Sequence, residues 1–250
     1  MKSPGADSLT VSGRRPIICS NFPTFAWRPE TGMIVTIDGP VASGKSTAAK
    51  NLAEALGFEH LDTGAIYRAI TLLALSAGTD PADRAAVRRL LGEVKVHFEE
   101  ERIHLNGRDV SDDIRRPDIT SSVKPFAENP EVREFVKKLE HGIASGKDIV
   151  VEGRDMGTVV FPEANVKVFL SASAQERARR RWEELQGKGI DQDYETVLRE
   201  LDARDHADAN RSIAPLRKAP DAIEFDSTGL SQEETAGRLL EIVRSRLKGQ

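Results

Sequence analysis

The segment Gly39-Pro40-Val41-Ala42-Ser43-Gly44-Lys45-Ser46 restricts this chain more than any other, because it meets the spacing G-x-x-x-x-G-K-[ST] between an apolar run and a helical pattern. Met33 to Ile37 reads as a buried strand, and the residues from Lys45 to about Leu56 read as a helix. Strand, glycine-rich turn and helix in that order make an anion cradle. Glycines let successive backbone N–H groups converge, and the positive end of the helix dipole is added at the same point. Lys45 is then placed to reach the β- and γ-phosphates of a nucleoside triphosphate, the Ser46 hydroxyl to ligate Mg²⁺, and Thr47 to add a phosphate contact.

The remaining pattern fits an α/β fold. A short strand is expected near 58–61, a helix from Ala65 to about Ala77, and further apolar strands around 149–151, 166–170 and 223–225, with helical patterns between most of them. Such alternation implies a parallel sheet covered on both faces. Ser231 and Glu234 form a capping box for a last helix whose apolar face carries Leu239, Leu240, Ile242, Val243 and Leu247. Residues of about 83 to 145 break the alternation. Val94, Val96 and Phe98 alternate with Lys95 and His97, and Ile103 and Leu105 run into the tight-turn signal Asn106-Gly107. Two or three antiparallel strands should result, followed by a helix with Asn129 as N-cap and Pro130 in its first turn. The segment reads as an insertion with its own small core.

Charge narrows the function classes. With 36 Lys and Arg against 40 Asp and Glu, the net charge of -4 lacks the basic excess of a protein held on a nucleic-acid polymer. The single cysteine, Cys19, forms no internal disulfide, which fits a reducing, cytoplasmic compartment. His60, His97, His104, His141 and His206 show no metal-ligand spacing, so no chemistry is expected of them. Trp182 and Tyr194 lack a surrounding basic-aromatic run and read as packing residues. Residues 1–32 are rich in Ser, Pro, Gly and Thr, and are expected to be a disordered extension, with Met33 as the working start. Arg14-Arg15 before Pro16-Ile17-Ile18 hints at an export signal, but Asn21, Pro23 and Arg28 interrupt the apolar stretch.

Among proteins with such a phosphate loop, a GTP-binding switch would carry Asn-Lys-x-Asp, and no Asn here is followed by Lys. Val150-Val151-Glu152 ends in a single acid before Gly153, unlike the paired acids expected of a mechanical ATPase. A small-molecule kinase fits better. Four segments carry a specific resemblance: Ile37-Asp38-Gly39-Pro40, Leu61-Asp62-Thr63-Gly64-Ala65-Ile66-Tyr67-Arg68, Glu152-Gly153-Arg154-Asp155-Met156-Gly157-Thr158 and Ile213-Ala214-Pro215-Leu216. Over about Met33 to Leu247 the chain resembles the bacterial cytidylate kinases. The resemblance implies a P-loop NTPase core, 33–82 and 146–250, with a five-stranded parallel sheet flanked by helices. It also implies a mobile lid near 175–195 and a nucleoside monophosphate-binding insertion at 83–145.

What the resemblance implies about the site can be checked against chemistry. The acceptor is itself a phosphate, anionic at neutral pH, so no general base is needed and arginines are the expected tools. Arg68, Arg154, Arg204 and Arg211 fall where the similar family places phosphate- or nucleotide-contacting arginines, with Thr63 and Tyr67 in the same motif as Arg68. Arg204, Asp208 and Arg211 lie at i, i+4 and i+7, one face of an expected helix. Cytosine offers an amino donor at N4 and acceptors at N3 and O2, and Asp155 with Arg133 suits that division. The resemblance gives this pair the base, and Asp208 with Arg204 the ribose. At the position where the family usually has a base-touching serine stands Lys124, with Ser121 and Ser122 nearby. Arg177, Arg180 and Arg181 share a helical face before Gly187-Lys188-Gly189 and are read as lid arginines on ATP, against the plainer reading of a solvent face offset by Glu176, Glu183 and Glu184. Lys45, Arg154, Arg180 and Arg211 are the expected catalytic set. The expected substrates are MgATP with CMP or dCMP, on a monomer with no membrane or polymer partner. UMP, AMP or a small alcohol as acceptor, and a non-catalytic nucleotide-binding module, stay open as alternatives.

Overall fold

The computed structural model describes residues 32–99 and 101–247. The amino-terminal extension, with Cys19 and the Arg14-Arg15 pair, lies outside them. Five strands form one parallel sheet: β1 (Ile34–Asp38), β2 (Glu59–Asp62), β6 (Ile149–Gly153), β7 (Val166–Ser171) and β8 (Ile223–Asp226), in the order β2-β6-β1-β7-β8. Every residue of β1 is buried, as a central strand covered on both faces requires. Its side chains alternate between the two layers. Ile34 packs with Leu61, Ile149 and Val151 on one face, and Val35 and Ile37 pack with Val150, Val166 and Val168 on the other.

The second face is covered by α1 (Lys45–Leu56) and α8 (Gln232–Leu247), through Ala49, Leu52, Leu239 and Val243. The capping box of α8 forms as expected, Glu234 N donating to Ser231 Oγ at 3.1 Å and Ser231 N to Glu234 Oε2 at 2.8 Å. On the first face lies α2 (Thr63–Ser76), which starts two residues before its expected Ala65 because the Asp62 carboxylate caps it, accepting from Ala65 N at 3.1 Å.

Between α2 and β6 come α3 (Arg84–Gly92), the antiparallel β3 (Val96–Glu99), β4 (Arg102–Leu105) and β5 (Arg108–Asp109), then α4 (Pro117–Ala127) and α5 (Pro130–Ala144). Asn129 caps α5 as expected, its Oδ1 accepting from Glu131 N at 2.8 Å and Val132 N at 3.1 Å. Helices α3 and α4 were not foreseen; α4 contains Pro125 and starts at a proline, which hides its period. The expected separate core is also corrected. Val87, Leu91, Ile103, Phe126, Val132 and Val136 pack into the same buried cluster as Ile66, Ile70 and Ile149 of the parallel-sheet layer. After β7 follow α6 (Ala174–Gly187) and α7 (Tyr194–Ala209), packed on each other through Ala178, Leu185, Val197 and Leu201.

Candidate active site

The loop between β1 and α1 has the backbone its glycines predict. Gly44 takes φ 85°, and a Cβ at Gly39 would lie 2.0 Å from the Leu170 carbonyl oxygen of β7, so only glycine fits there. Ala42, without that freedom, is also left-handed at φ 58°. Lys45 is buried and folds back on the loop, donating to Pro40 O at 2.6 Å and to Ser43 Oγ at 3.4 Å. Burial first, and the Arg154 charge second, hold its ammonium well below the usual lysine range. A site that disfavours its own cation is one that gains when an anion arrives.

Two acids that the sequence reading did not assign complete this corner. Sheet register sets Ile37 beside Glu152 and Asp38 beside Gly153. Glu152, buried at the end of β6, accepts from Ser46 Oγ at 2.7 Å and lies 3.2 Å from His60 Nε2. A hydroxyl and a carboxylate side by side are oxygen ligands of the kind a hard divalent cation takes, so Ser46 with Glu152 fits Mg²⁺. Asp38 accepts from Met156 N at 2.9 Å and Gly157 N at 2.8 Å, tying the phosphate loop to the turn that carries Arg154 and Asp155. Burial pushes its carboxyl up to about 6, against the opposing pull of those two N–H groups. The signals were present, a lone acid at a strand end and an acid just before the first glycine, but only pairing gives them partners.

Across from the loop the structure gathers the expected arginines around Asp208. Arg154 Nε donates to Asp208 Oδ2 at 3.1 Å, and Arg211 Nη2 donates to Asp208 Oδ1. Arg204 stands on α7 with its side chain still open to solvent, in the field of Arg154, Asp208, Arg211 and Arg68; partial desolvation by its neighbours, then the Arg154 charge, lowers its pKa. Arg68 is held by Asp62 at 2.8 Å, and its Nε is buried without a hydrogen bond, as is the Nε of Arg211, which lies 3.8 Å from Glu128 Oε1. One detail differs: α7 ends at Ala209, so Arg211 meets Asp208 from the segment beyond the helix rather than from its face. Thr63 donates to Glu152 O at 2.8 Å. Beyond them Arg133 Nη2 donates to Asp155 Oδ2, with the guanidinium carbon 5.9 Å from the Tyr67 ring centroid. Burial raises the Asp155 carboxyl, and Arg133 and Arg211 pull it back. Lys124 is exposed on α4, and Ser122 is half-buried.

The three arginines of α6 divide. Arg177 is buried and clamps the loop tip, donating to Val41 O at 3.1 Å and to Asp205, whose other oxygen accepts from Val41 N at 3.4 Å. Arg180 spans from Glu176, at 2.8 Å, to Ser227 Oγ at 3.1 Å and Ser227 O at 2.8 Å. Arg181 is half-buried and pairs with Glu184 at 2.8 Å. Arg180 and Arg181 nevertheless line one cleft of about 450 Å³ with Ser43, Gly44, Thr47, Leu230 and Ser231, so it opens on the phosphate loop.

Comparison with known sequences shows the relationship, and comparison with solved structures shows the fold. The family profile described as Cytidylate kinase matches residues 35–245. A cytidylate kinase of Fervidobacterium nodosum is 47% identical over 214 residues, 86% of this chain and 97% of that relative. One of Mycobacterium avium is 46% identical over 219 residues, covering 86% and 96%. Among solved structures, an uncharacterized protein from Eubacterium ventriosum shares the fold, with a TM-score of 0.50 and 16% identity over 86% of this chain and 99% of that one. The profile spans the sheet, the insertion and both sides of the arginine cluster, and this chain therefore belongs to the cytidylate kinase family.

Proposed function

We propose that this enzyme transfers the terminal phosphoryl group of ATP to CMP and dCMP, forming the diphosphates in cytoplasmic pyrimidine nucleotide metabolism, and that it works as a monomer. The observation that carries the reading is the convergence at one sheet edge of an amide-lined loop, the buried Lys45 and the arginines gathered on Asp208. Open α/β sheets bind ligands at that edge.

In this reading the backbone N–H groups of 39–47 cradle the donor phosphates, and Lys45 turns from Pro40 O toward them. Ser46 and Glu152 would hold Mg²⁺, which when bound screens the donor phosphates. Arg154 and Arg211 leave Asp208 in part to grip the acceptor phosphate with Arg68, while Asp208 and Arg204 hold the ribose. Asp155 accepts from the cytosine amino group and Arg133 donates to the ring acceptors, over Tyr67; a uracil carbonyl would face the carboxylate and lose that bond. Residues 83–145 form the acceptor-binding insertion. The segment 175–195 acts as a lid, Arg180 exchanging Ser227 for the transferring phosphate and Arg181 closing on the cleft, with Arg177 setting the loop tip. Catalysis rests on positioning and charge stabilisation, without a general base.

ADP production measured with CMP, dCMP, UMP, AMP and shikimate tests this. The two cytidine nucleotides should be turned over fastest, and no stimulation by either would overturn the proposal. Replacing Asp155 with Asn should cut the preference for CMP over UMP by at least about tenfold, since one discriminating hydrogen bond is lost.

A further inference from the structure

We infer that His97, Glu99 and His104 form a binding site for a single borderline transition-metal ion of the Zn²⁺ type, on the outer face of the small antiparallel sheet. Spacing in the sequence hides this site, because its two imidazoles come from different strands. Pairing of β3 with β4 sets His97 directly opposite His104, and Glu99, two residues along β3, falls on the same face as His97. The two rings stack at 4.6 Å between centroids and 11° between planes. One ligand atom from each of the three residues lies within 4.8 Å of the other two.

The surroundings leave these ligands uncommitted. Arg102 stands opposite Glu99 in the register, yet it donates to Asp109 and, at 3.0 Å, to Asp112, so it does not neutralise Glu99. Asp109 stands opposite His104 but is held by Arg102 and by Ser111. The Nδ1 of His104 is shut off from solvent and has no hydrogen-bond partner. A tetrahedral ion with bonds of about 2.0–2.1 Å needs ligand atoms roughly 3.3 Å apart and lies in the plane of each imidazole, so binding requires the two rings to swing out of their stack and converge, with water as fourth ligand. Two imidazoles and one carboxylate favour Zn²⁺, Ni²⁺ or Cu²⁺ over the all-oxygen Mg²⁺. The ion would staple β3 to β4 next to a turn residue, Glu101, that pairs with Lys50 of α1 at 2.5 Å.

Titration of the full-length, chelator-treated protein with ZnCl₂, followed calorimetrically in millimolar MgCl₂, tests the site. The expected result is one equivalent bound at micromolar affinity, weakened at least about tenfold in both His97→Gln and His104→Gln, with a rise in melting temperature on adding ZnCl₂ that these variants lose. Both variants should keep the wild-type melting temperature in the absence of ZnCl₂, which shows that they fold. Binding that is unchanged in both variants, or no binding below about 1 mM, would overturn the inference.

Discussion

Asp38 joins two segments of the site through the N–H groups of Met156 and Gly157, and burial raises its carboxyl from 3.8 to about 6. In the unfolded chain the group ionises at its ordinary value, so between about pH 4 and 6 the folded state holds a proton that the unfolded state has lost. Stability therefore falls as pH rises through that window and levels off above it, by about 3 kcal/mol for a shift of about two units. Asp38→Asn should flatten this slope. Urea midpoints at pH 4 and pH 7 that move equally in both proteins would dismiss the assignment. Lys45 makes the opposite kind of test. Its buried ammonium is disfavoured in the folded protein, so Lys45→Met should lose about 10²- to 10³-fold in kcat while the melting temperature holds or rises. A variant that melts well below the parent would show that the lysine is structural.

Four helices around the site are started by a cap that their own sequence supplies: Asp62 for α2, Asn129 for α5, Ser173 for α6 and Asp193 for α7, whereas α1 starts at Gly44 without a side-chain cap. Asn129 does more than cap, because its Nδ2 also donates to Pro81 O at 2.9 Å and so ties α5 to the segment before α3. Helix α5 carries Arg133 one turn later, so the cap also sets the height of the Arg133–Asp155 pair. Asn129→Ala should cost about 1–2 kcal/mol, read as a drop in melting temperature. It should also raise the KM for CMP more than the KM for ATP; equal effects on both would place α5 outside the acceptor side. The same helix buries Glu140, whose two carboxylate oxygens have no partner and whose pKa burial drives well upward.

Across the whole molecule, one apolar cluster runs from the parallel sheet through α2 into the insertion, with Ile70 fully buried between them. The insertion and the core should therefore unfold together. Calorimetry should give a single transition, and Ile70→Ala should lower it by about 2–5 kcal/mol without splitting it. A separate low-temperature transition in either protein would contradict the shared core. Features that depend on one turn of backbone were legible in the residues: the phosphate loop from its glycines, the starts of α5 and α8 from Asn129 and Ser231. They rest on sterics and hydrogen bonds between near neighbours, which order alone specifies. The partners that give the site its character were not legible. Ser46 meets Glu152 across 106 positions and Asp38 meets Gly157 across 119, while His97 faces His104 only by strand register. Those meetings depend on which strands lie side by side, and that choice is made by burying both faces of the sheet at once, a property of no single segment.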